Sequence, residues 1–295
     1  MTMDSSAPRK PSFPSRRNTY GHLRATEIFT LVLLGLTQLN LVHGESGIRP
    51  SAGLAPEAIV ASCKEPNSPR AVKDALHLVC ATDSSGSESV REAIVICFLG
   101  GFVKASDVKH PEVWFARYLH DRYGPAVQVW IFGNRDEEKA VKKTLQLVAA
   151  DRMHGGKTTE QPAIIVYGHS WGGSQVLSFA RDLGKEGLLV SLTIQIDSVR
   201  KLGHDGHTVP QNVLKAINFY QTRGLTPGER HIVPADPART VILGNRQMTY
   251  DHLRINCSNY KWLSRMFNKP HHQIENDPRV WDSIASLIHA ELTVR

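Results

Sequence analysis

Long apolar runs and cysteine are the two features that this 295-residue sequence has little of. No apolar run reaches the roughly 20 residues of a membrane-spanning helix, which excludes a polytopic membrane protein. Only four Cys occur, too few for a fold held together by disulfides, and none belongs to a CxxC pair. Cys97 lies inside an apolar segment and is expected to be a buried thiol, whereas Cys63–Cys80 is favoured as a bridge.

The composition is that of a globular protein with a mild basic excess. Hydrophobic residues make up 41% and charged residues 21%, which excludes disorder over the whole chain. The net charge is +7, but residues 1–44 hold five Lys/Arg and two Asp/Glu, so the remainder keeps a net charge of +4. Because its basic residues form no long cluster, we expect an ordinary solvated surface and no nucleic-acid partner.

The N-terminus has the pattern of an export signal. A polar region with Arg16 and Arg17 precedes the apolar stretch 28–42, which ends at His43-Gly44. A basic region, a short apolar region and a small-residue exit predict a signal peptide cleaved after Gly44, hence a secreted or periplasmic protein. Ser15-Arg16-Arg17 resembles a twin-arginine signal, although the residues after it fit poorly. The alternatives are a retained membrane anchor, with the protein facing outside the cytoplasm, and a core helix.

After the predicted signal (1–44) and an extension with the first strands (45–89), residues 90–295 alternate between strand and helix patterns. Strands alternating with helices imply a mostly parallel central sheet covered by helices on both faces, with no second domain after it. The predicted helices cover residues 110–123, 136–150 and 172–183, the third ended by Gly184, and a last helix is capped by Asp277. The predicted strands cover residues 93–99, 126–132, 163–167, 188–196, 213–220 and 239–243.

The strongest chemical signal is Gly168-His169-Ser170-Trp171-Gly172, a G-x-S-x-G pattern. It stands where the apolar strand AIIVY ends and a helix begins, the setting in which such a serine is held out above the sheet edge. The turn is sharp, so the two flanking residues must be small, and Gly168 and Gly172 meet that need. The pattern predicts a nucleophilic Ser170.

From about residue 90 to residue 292 the sequence resembles the α/β-hydrolase superfamily, most strongly at GHSWGG. The resemblance implies the order nucleophile, acid, histidine, with Ser170, Asp197 and His271 as catalytic residues. Asp197 directly follows a predicted strand, whereas the later candidate, Asp236, precedes its strand and points to the wrong end of the sheet. Only about fifteen residues separate Asp197 from the next strand, too few for a large cap domain.

The resemblance also implies an oxyanion hole made by two backbone N–H groups. Trp171, directly after the nucleophile, is one expected donor. Phe102 is the other by position, with Gly101 as the next candidate, and Gly100 stands where the family has a histidine. The side chains of Phe98, Phe102 and Trp171 are expected to form apolar walls around the site.

Two adjacent histidines compete for the role of base, His271 and His272, in a segment expected to be an extended loop. Neighbours in an extended loop point in opposite directions, so only one of the two can face Ser170. A buried Ile274 would lie on the same side of the loop as His272, which would favour His272. The family pattern His-x-x-Ile-Glu before Asp-Pro instead favours His271. We therefore expect His271 to act and His272 to lie at the rim.

These features predict an exported serine hydrolase that cleaves a small-molecule carboxylic ester or thioester without metal or organic cofactor. A haloperoxidase- or lyase-like enzyme on the same fold is one alternative, and a non-catalytic binding protein is another. Gly155-Gly156-Lys157-Thr158 lacks the first glycine of a phosphate-binding loop and precedes a strand, so that role is rejected. The loop from His204 to His207 is polar and glycine-containing, and a metal site there is not favoured.

Overall fold

The structure is a computed structural model, and it describes residues 89–153, 161–201, 203–258, 260 and 262–294. The predicted signal, the extension up to residue 88 and the Cys63–Cys80 pair lie outside the described residues, so these three interpretations stay predictions. Within the described ranges, no helix is long and apolar enough to span a bilayer.

The centre of the fold is a six-stranded sheet in which every neighbouring pair is parallel. The strands are β1 (Ser89–Val90), β2 (Ala93–Phe98), β3 (Val127–Phe132), β4 (Ala163–His169), β5 (Val190–Ile196), β6 (Thr208–Val209), β7 (Val213–Tyr220), β8 (Val233–Pro234), β9 (Val241–Gln247) and β10 (Thr293–Val294). The order in the sheet is β3-β2-β4-β5-β7-β9, and two short two-stranded ladders, β1-β10 and β6-β8, accompany it. The predicted mostly parallel sheet is therefore confirmed.

Among the described residues, five α-helices connect or flank these strands, and a short 3₁₀ turn (Gly124–Ala126) leads into β3. Each predicted helix is present, with ends displaced by a few residues. Asp277 caps the last helix as expected, its side chain accepting a hydrogen bond from Arg279 N. The helices are α1 (Pro111–Tyr123), α2 (Glu137–Met153), α3 (Trp171–Lys185), α4 (Trp262–Glu275) and α5 (Pro278–Leu292).

The sheet is covered on both faces, because alternate residues of its central strands enter two separate apolar clusters. In β2, Val95 and Cys97 face the cluster that contains Phe115 of α1 and Trp281 of α5. Ile96 and the residues two positions before and after it face the second cluster, which includes apolar residues of α3. A strand buried on both faces has one continuous apolar run, which is why the sequence alone predicts a strand over residues 93–99. Cys97 is a buried free thiol, as expected.

Two local predictions are wrong. Gly184 does not end α3, which continues to Lys185; the left-handed residue beyond its end is Gly187, with φ 75°. The His271-His272 segment is not an extended loop but the second part of α4. The helix is kinked at Asn268, so Pro270 falls in the first turn after the kink, where a missing N–H costs no helical hydrogen bond. Adjacent residues there diverge by about 100° and not by 180°.

Candidate active site

Ser170 occupies the turn between β4 and α3, with the backbone strain typical of an exposed nucleophile. Its φ of 56° and ψ of −121° are unusual for a residue with a side chain. A Cβ at Gly168 would lie 2.5 Å from the Gly172 carbonyl carbon, and one at Gly172 would lie 2.0 Å from the Phe98 carbonyl oxygen. Both positions therefore exclude any side chain, as the sequence predicted. Ser170 N donates to Ile196 O at 2.9 Å, which fastens the turn to the end of β5.

Backbone strain marks the same residues that the sequence singled out. Among the described residues other than glycine, positive φ occurs at three positions: Phe102 (66°), Ser170 (56°) and Asp197 (43°). Each follows the carboxyl end of a central strand, β2, β4 and β5 respectively. Strained residues of this kind concentrate at functional sites because the surrounding structure must hold them in place.

Ser170, His271 and Asp197 form one hydrogen-bonded chain. His271 Nε2 lies 3.0 Å from Ser170 Oγ, and His271 Nδ1 lies 2.6 Å from Asp197 Oδ2. With its Nδ1–H donated to the carboxylate, the imidazole offers Nε2 to the serine proton. The three side chains come from separate segments, and the structure brings all three predicted catalytic residues together.

Asp197 is held by neighbours that satisfy both of its carboxylate oxygens. Gln221 N donates to Oδ1 at 3.0 Å, and Gln221 Nε2 donates to Oδ2 at 2.8 Å. A Cβ at Gly228 would lie 2.1 Å from Asp197 Oδ1, so the loop after β7 packs directly onto the carboxylate. Asp197 is fully buried, and its orientation towards His271 is therefore fixed by direct contacts. Asp236 is a turn residue before β9 whose carboxylate accepts from Ala238 N at 2.9 Å.

The predicted oxyanion donors lie next to this chain. Trp171 is the first residue of α3, and Phe102 follows the Gly100-Gly101 turn after β2. Their rings lie 5.8 Å apart between centroids, and the Phe102 side chain is 86% exposed. A Cβ at Gly100 would lie 3.7 Å from Ser170 Cβ, so the turn approaches Ser170 closely. The donor roles of both backbone N–H groups stay predictions.

The expectation that Phe98 lines the site is wrong. Its side chain is completely buried, and its ring lies 5.3 Å from that of Phe179 and 6.2 Å from that of Phe132. Because Phe98 is the last residue of β2, the alternation of the strand directs its side chain into the core beneath α3. The exposed aromatic surface near Ser170 therefore comes from Phe102 and Trp171.

His272 does not lie at the rim as expected. It is buried, and its ring stacks on that of Tyr260 with the centroids 3.8 Å apart. Burial lowers the pKa of His272 to about 4, which keeps the ring neutral. Ile274 is fully buried, as predicted. It does not lie on the same side as His272, because residues two positions apart on a helix point in different directions.

Sequence reasoning missed a buried polar cluster beside the chain of Ser170, His271 and Asp197. We call it the Glu112 cluster; its members are His110, Glu112, His169, Tyr260 and Glu275. His110 Nδ1 lies 2.7 Å from Glu275 Oε1 and 3.6 Å from Glu112 Oε2, and Tyr260 Oη donates to Glu275 Oε2 at 2.5 Å. His169 Nδ1 lies 3.6 Å from Glu275 Oε1, and its ring centroid lies 4.5 Å from that of His271.

The Glu112 cluster has strongly shifted acid–base properties. Burial and then the Glu275 charge raise the pKa of Glu112 to about 8. Burial lowers the pKa of His110, but the Glu275 charge and hydrogen bond outweigh it and raise the pKa to about 9. Burial lowers the pKa of His169 to about 3, so this ring is neutral. His110 is thus a cation between two buried carboxyl groups.

His110, Glu112 and Glu275 also bring one nitrogen and two carboxyl oxygens within 4.8 Å of one another, a grouping that could be considered for a metal. The 2.7 Å contact between His110 and Glu275 is, however, that of a direct ion pair. Two ligands on one Zn²⁺, with bonds of about 2.0–2.1 Å, lie roughly 3.3 Å apart. We therefore interpret the three residues as an ion-paired group.

The loop from His204 to His207 is built as a turn. Asp205 Oδ1 accepts from His207 N at 2.9 Å and from Thr208 N at 3.0 Å, and Asp205 pairs with Arg181 at 3.3 Å. These contacts engage the carboxylate that a metal would need, in line with the interpretation that no metal site is favoured there.

No family model and no curated protein matches the chain. Several solved structures do, among them an esterase from Pyrobaculum calidifontis (12% identity, TM-score 0.35, 73% of this chain and 91% of that one). Others are the NocB thioesterase domain from the nocardicin cluster (14%, 0.32, 68% and 95%) and a Trichoderma reesei cutinase (10%, 0.31, 74% and 85%). TM-scores this low leave the geometry of the chain itself as the basis for its fold and chemistry.

That geometry agrees with the resemblance noted in the sequence. The strand order, a serine turn between β4 and α3, an aspartate directly after β5 and a histidine shortly before α5 reproduce the expected arrangement. The chain has the α/β-hydrolase fold.

Proposed function

We propose that this protein is an exported serine hydrolase that cleaves a carboxylic ester or thioester through an acyl-enzyme intermediate. The observation that carries the proposal is the hydrogen-bonded chain from Ser170 through His271 to the buried carboxylate of Asp197. A serine next to an imidazole that is itself oriented by a carboxylate is the arrangement that activates a hydroxyl as a nucleophile.

In the proposed reaction, Ser170 Oγ attacks the acyl carbonyl carbon while its proton passes to His271 Nε2. Asp197 orients the imidazole and stabilises the imidazolium. The N–H groups of Phe102 and Trp171 bind the negative oxygen of the tetrahedral intermediate. The imidazolium protonates the departing alcohol or thiol; water then attacks the acyl-enzyme by the same route in reverse, and Ser170 regains its proton.

The surface around Ser170 favours an apolar acyl or aromatic group. The exposed ring of Phe102 lies beside that of Trp171 at the turn next to the nucleophile. Apolar surface of this kind gains free energy when a hydrocarbon covers it. Esters or thioesters with a hydrocarbon acyl chain are therefore the proposed substrates.

The test is hydrolysis of p-nitrophenyl esters and acyl thioesters of increasing chain length. Ser170→Ala should abolish turnover, whereas Ser286→Ala, at an exposed serine on α5, should leave it unchanged. Turnover by the wild type that survives in Ser170→Ala would overturn the proposal.

Export belongs to the proposal on the strength of the N-terminal sequence pattern alone. Cleavage after Gly44 predicts a mature protein that starts at Glu45, which mass spectrometry of the protein recovered outside the cytoplasm can determine. An intact N-terminus on protein that stays in the cytoplasm would contradict export; an intact N-terminus on protein in the membrane fraction would favour the anchor.

A further inference from the structure

Glu112 is the second residue of α1, yet its fully buried carboxylate binds the backbone of two other segments. Gly100 N donates to Oε1 at 3.2 Å and is 3.3 Å from Oε2, and His169 N donates to Oε1 at 3.2 Å. Gly100 opens the turn that leads to Phe102, and His169 directly precedes Ser170. One carboxyl group therefore joins the turn of the predicted oxyanion donor to the turn of the predicted nucleophile.

The Gly100 backbone is fixed from both sides. While its N–H is bound by Glu112, its carbonyl oxygen accepts a hydrogen bond from Asn134 Nδ2 at 2.9 Å. Asn134 is itself held, because its carbonyl accepts from Lys201 Nζ. With both backbone polar groups of Gly100 held, the turn has little freedom to rotate before Phe102.

The same carboxylate is connected to the helix that carries His271. His110 lies between Glu112 Oε2 and Glu275 Oε1, and Glu275 stands four residues after His271 on α4. Residues four apart on a helix share a face, so the ion pair fastens the face from which His271 reaches Ser170. The Glu112 cluster thus contacts all three segments whose relative placement the proposed reaction requires.

We propose that Glu112 is a positioning residue of the hydrolase, holding the Gly100 turn and the Ser170 turn at the separation that stabilises the tetrahedral intermediate. This inference rests on the proposed function. A carboxyl group suits the role because its two oxygens can accept several backbone N–H groups at once.

The experiment compares Glu112→Ala and Glu112→Gln with Thr144→Ala, a matched loss of a buried hydrogen bond within α2 (Thr144 Oγ1 to Ala140 O, 2.9 Å). Each variant is measured for kcat, KM and the inhibition constant of an alkyl boronic acid, which forms a tetrahedral anionic adduct with an activated serine. Labelling of the wild type by a fluorophosphonate probe establishes first that Ser170 is reactive.

For Glu112→Ala we expect kcat to fall by about 10²- to 10³-fold, the usual effect of losing one oxyanion donor, with KM within about threefold. The boronic acid should bind weaker by a similar factor. Glu112→Gln keeps one carbonyl acceptor and should lose only about tenfold in kcat; it carries the test if the alanine variant does not fold. Thr144→Ala should lower stability without changing kcat or boronic acid binding.

A Glu112→Gln variant with the kcat and boronic acid affinity of the wild type would overturn the inference, as would a loss in Thr144→Ala equal to that in Glu112→Ala. An unlabelled wild type would instead overturn the proposed function. If the wild type is labelled and the Glu112 variants react at its rate, the hydrolase stands and the positioning role fails.

Discussion

Two groups of ionisable side chains lie side by side in this protein, and they use their hydrogen bonds in different ways. In the chain of Ser170, His271 and Asp197, one histidine serves one buried carboxylate and presents its other nitrogen to a partly accessible serine. In the Glu112 cluster, two buried carboxyl groups share the cation of His110 and bind backbone N–H groups. The first group leaves His271 Nε2 available to accept a proton, whereas the second uses its hydrogen bonds to hold backbone segments in place.

This comparison teaches that a buried charge alone does not indicate catalysis. Glu112 and His110 have strongly shifted pKa values, yet Glu112 binds backbone amides and neither residue hydrogen-bonds to Ser170. Structural ion-pair networks also shift pKa values. What distinguishes the proposed catalytic group is a proton acceptor aimed at Ser170, a strained and partly exposed serine.

The comparison predicts the largest contrast between the two adjacent histidines. His271→Ala should lower kcat by about 10⁴- to 10⁶-fold, because the serine loses its base. His272→Ala should cost less than about tenfold in kcat but lower the melting temperature, because it empties a buried stack against Tyr260. Steady-state kinetics and thermal unfolding of both variants check this. The reverse pattern would transfer the catalytic role to His272.

Asp197→Asn should lower kcat by roughly 10⁴-fold while the protein stays folded. The amide can donate where the carboxylate accepts, so it favours the wrong imidazole tautomer. Asp236→Asn is the matched control, since this carboxylate caps a turn before β9 and has no contact with His271. Activity lost in the control and kept in Asp197→Asn would show that the acid has been misassigned.

Acid should destabilise the protein through two neutral histidines: His169 of the Glu112 cluster, and His272, which stacks on Tyr260 of that cluster. The folded-state pKa values of His169 (about 3) and His272 (about 4) lie below the ordinary value of 6.5. The stability they contribute is present above pH 6.5 and is lost as the pH falls towards 4, because the unfolded chain takes up the protons first. Melting temperatures between pH 7.5 and 4.5 measure this, and His272→Phe should show a shallower decline. If the melting temperatures of His272→Phe and the wild type declined identically, His272 would not be one of the groups whose protonation destabilises the protein.

Raising the pH should also lower the stability of the protein, by a smaller amount and mainly through His110. The pKa of His110 is raised to about 9, so the stability from its ion pair is complete below pH 6.5 and is lost as the pH rises through 9. The raised pKa of Glu112 acts in the same direction up to about pH 8. His110→Asn should flatten the change in melting temperature between pH 6.5 and 9.5. An unchanged slope would exclude His110 as the titrating group.

The sequence predicted the catalytic group for a reason that follows from parallel sheets. Ser170 and Asp197 end adjacent strands, and all parallel strands present their carboxyl ends at one edge. The Gly-x-Ser-x-Gly pattern is local, so it could be read without knowing what packs around it. His271 followed from the order of residues in the family.

The Glu112 cluster could not be predicted in the same way. Glu112 in the first turn of a helix looks like an ordinary partner of the helix dipole, and Glu275 is far from it along the chain. Only packing makes them neighbours. The segment of His271 was expected to be an extended loop, whereas the kink at Asn268 places Pro270 in the first turn of a helical segment, a position that a proline tolerates. The only available signal was His110-Pro111-Glu112, a helix start with an acid at its second position.

The central claim is that Ser170 is a nucleophile activated by His271. The most direct measurement is incubation with a fluorophosphonate probe followed by mass spectrometry of the digested protein. The account predicts one adduct, on the peptide that contains Ser170, with labelling abolished in Ser170→Ala and slowed by several orders of magnitude in His271→Ala. A wild-type protein that remains unlabelled, or an adduct on a different serine that persists in Ser170→Ala, would contradict it.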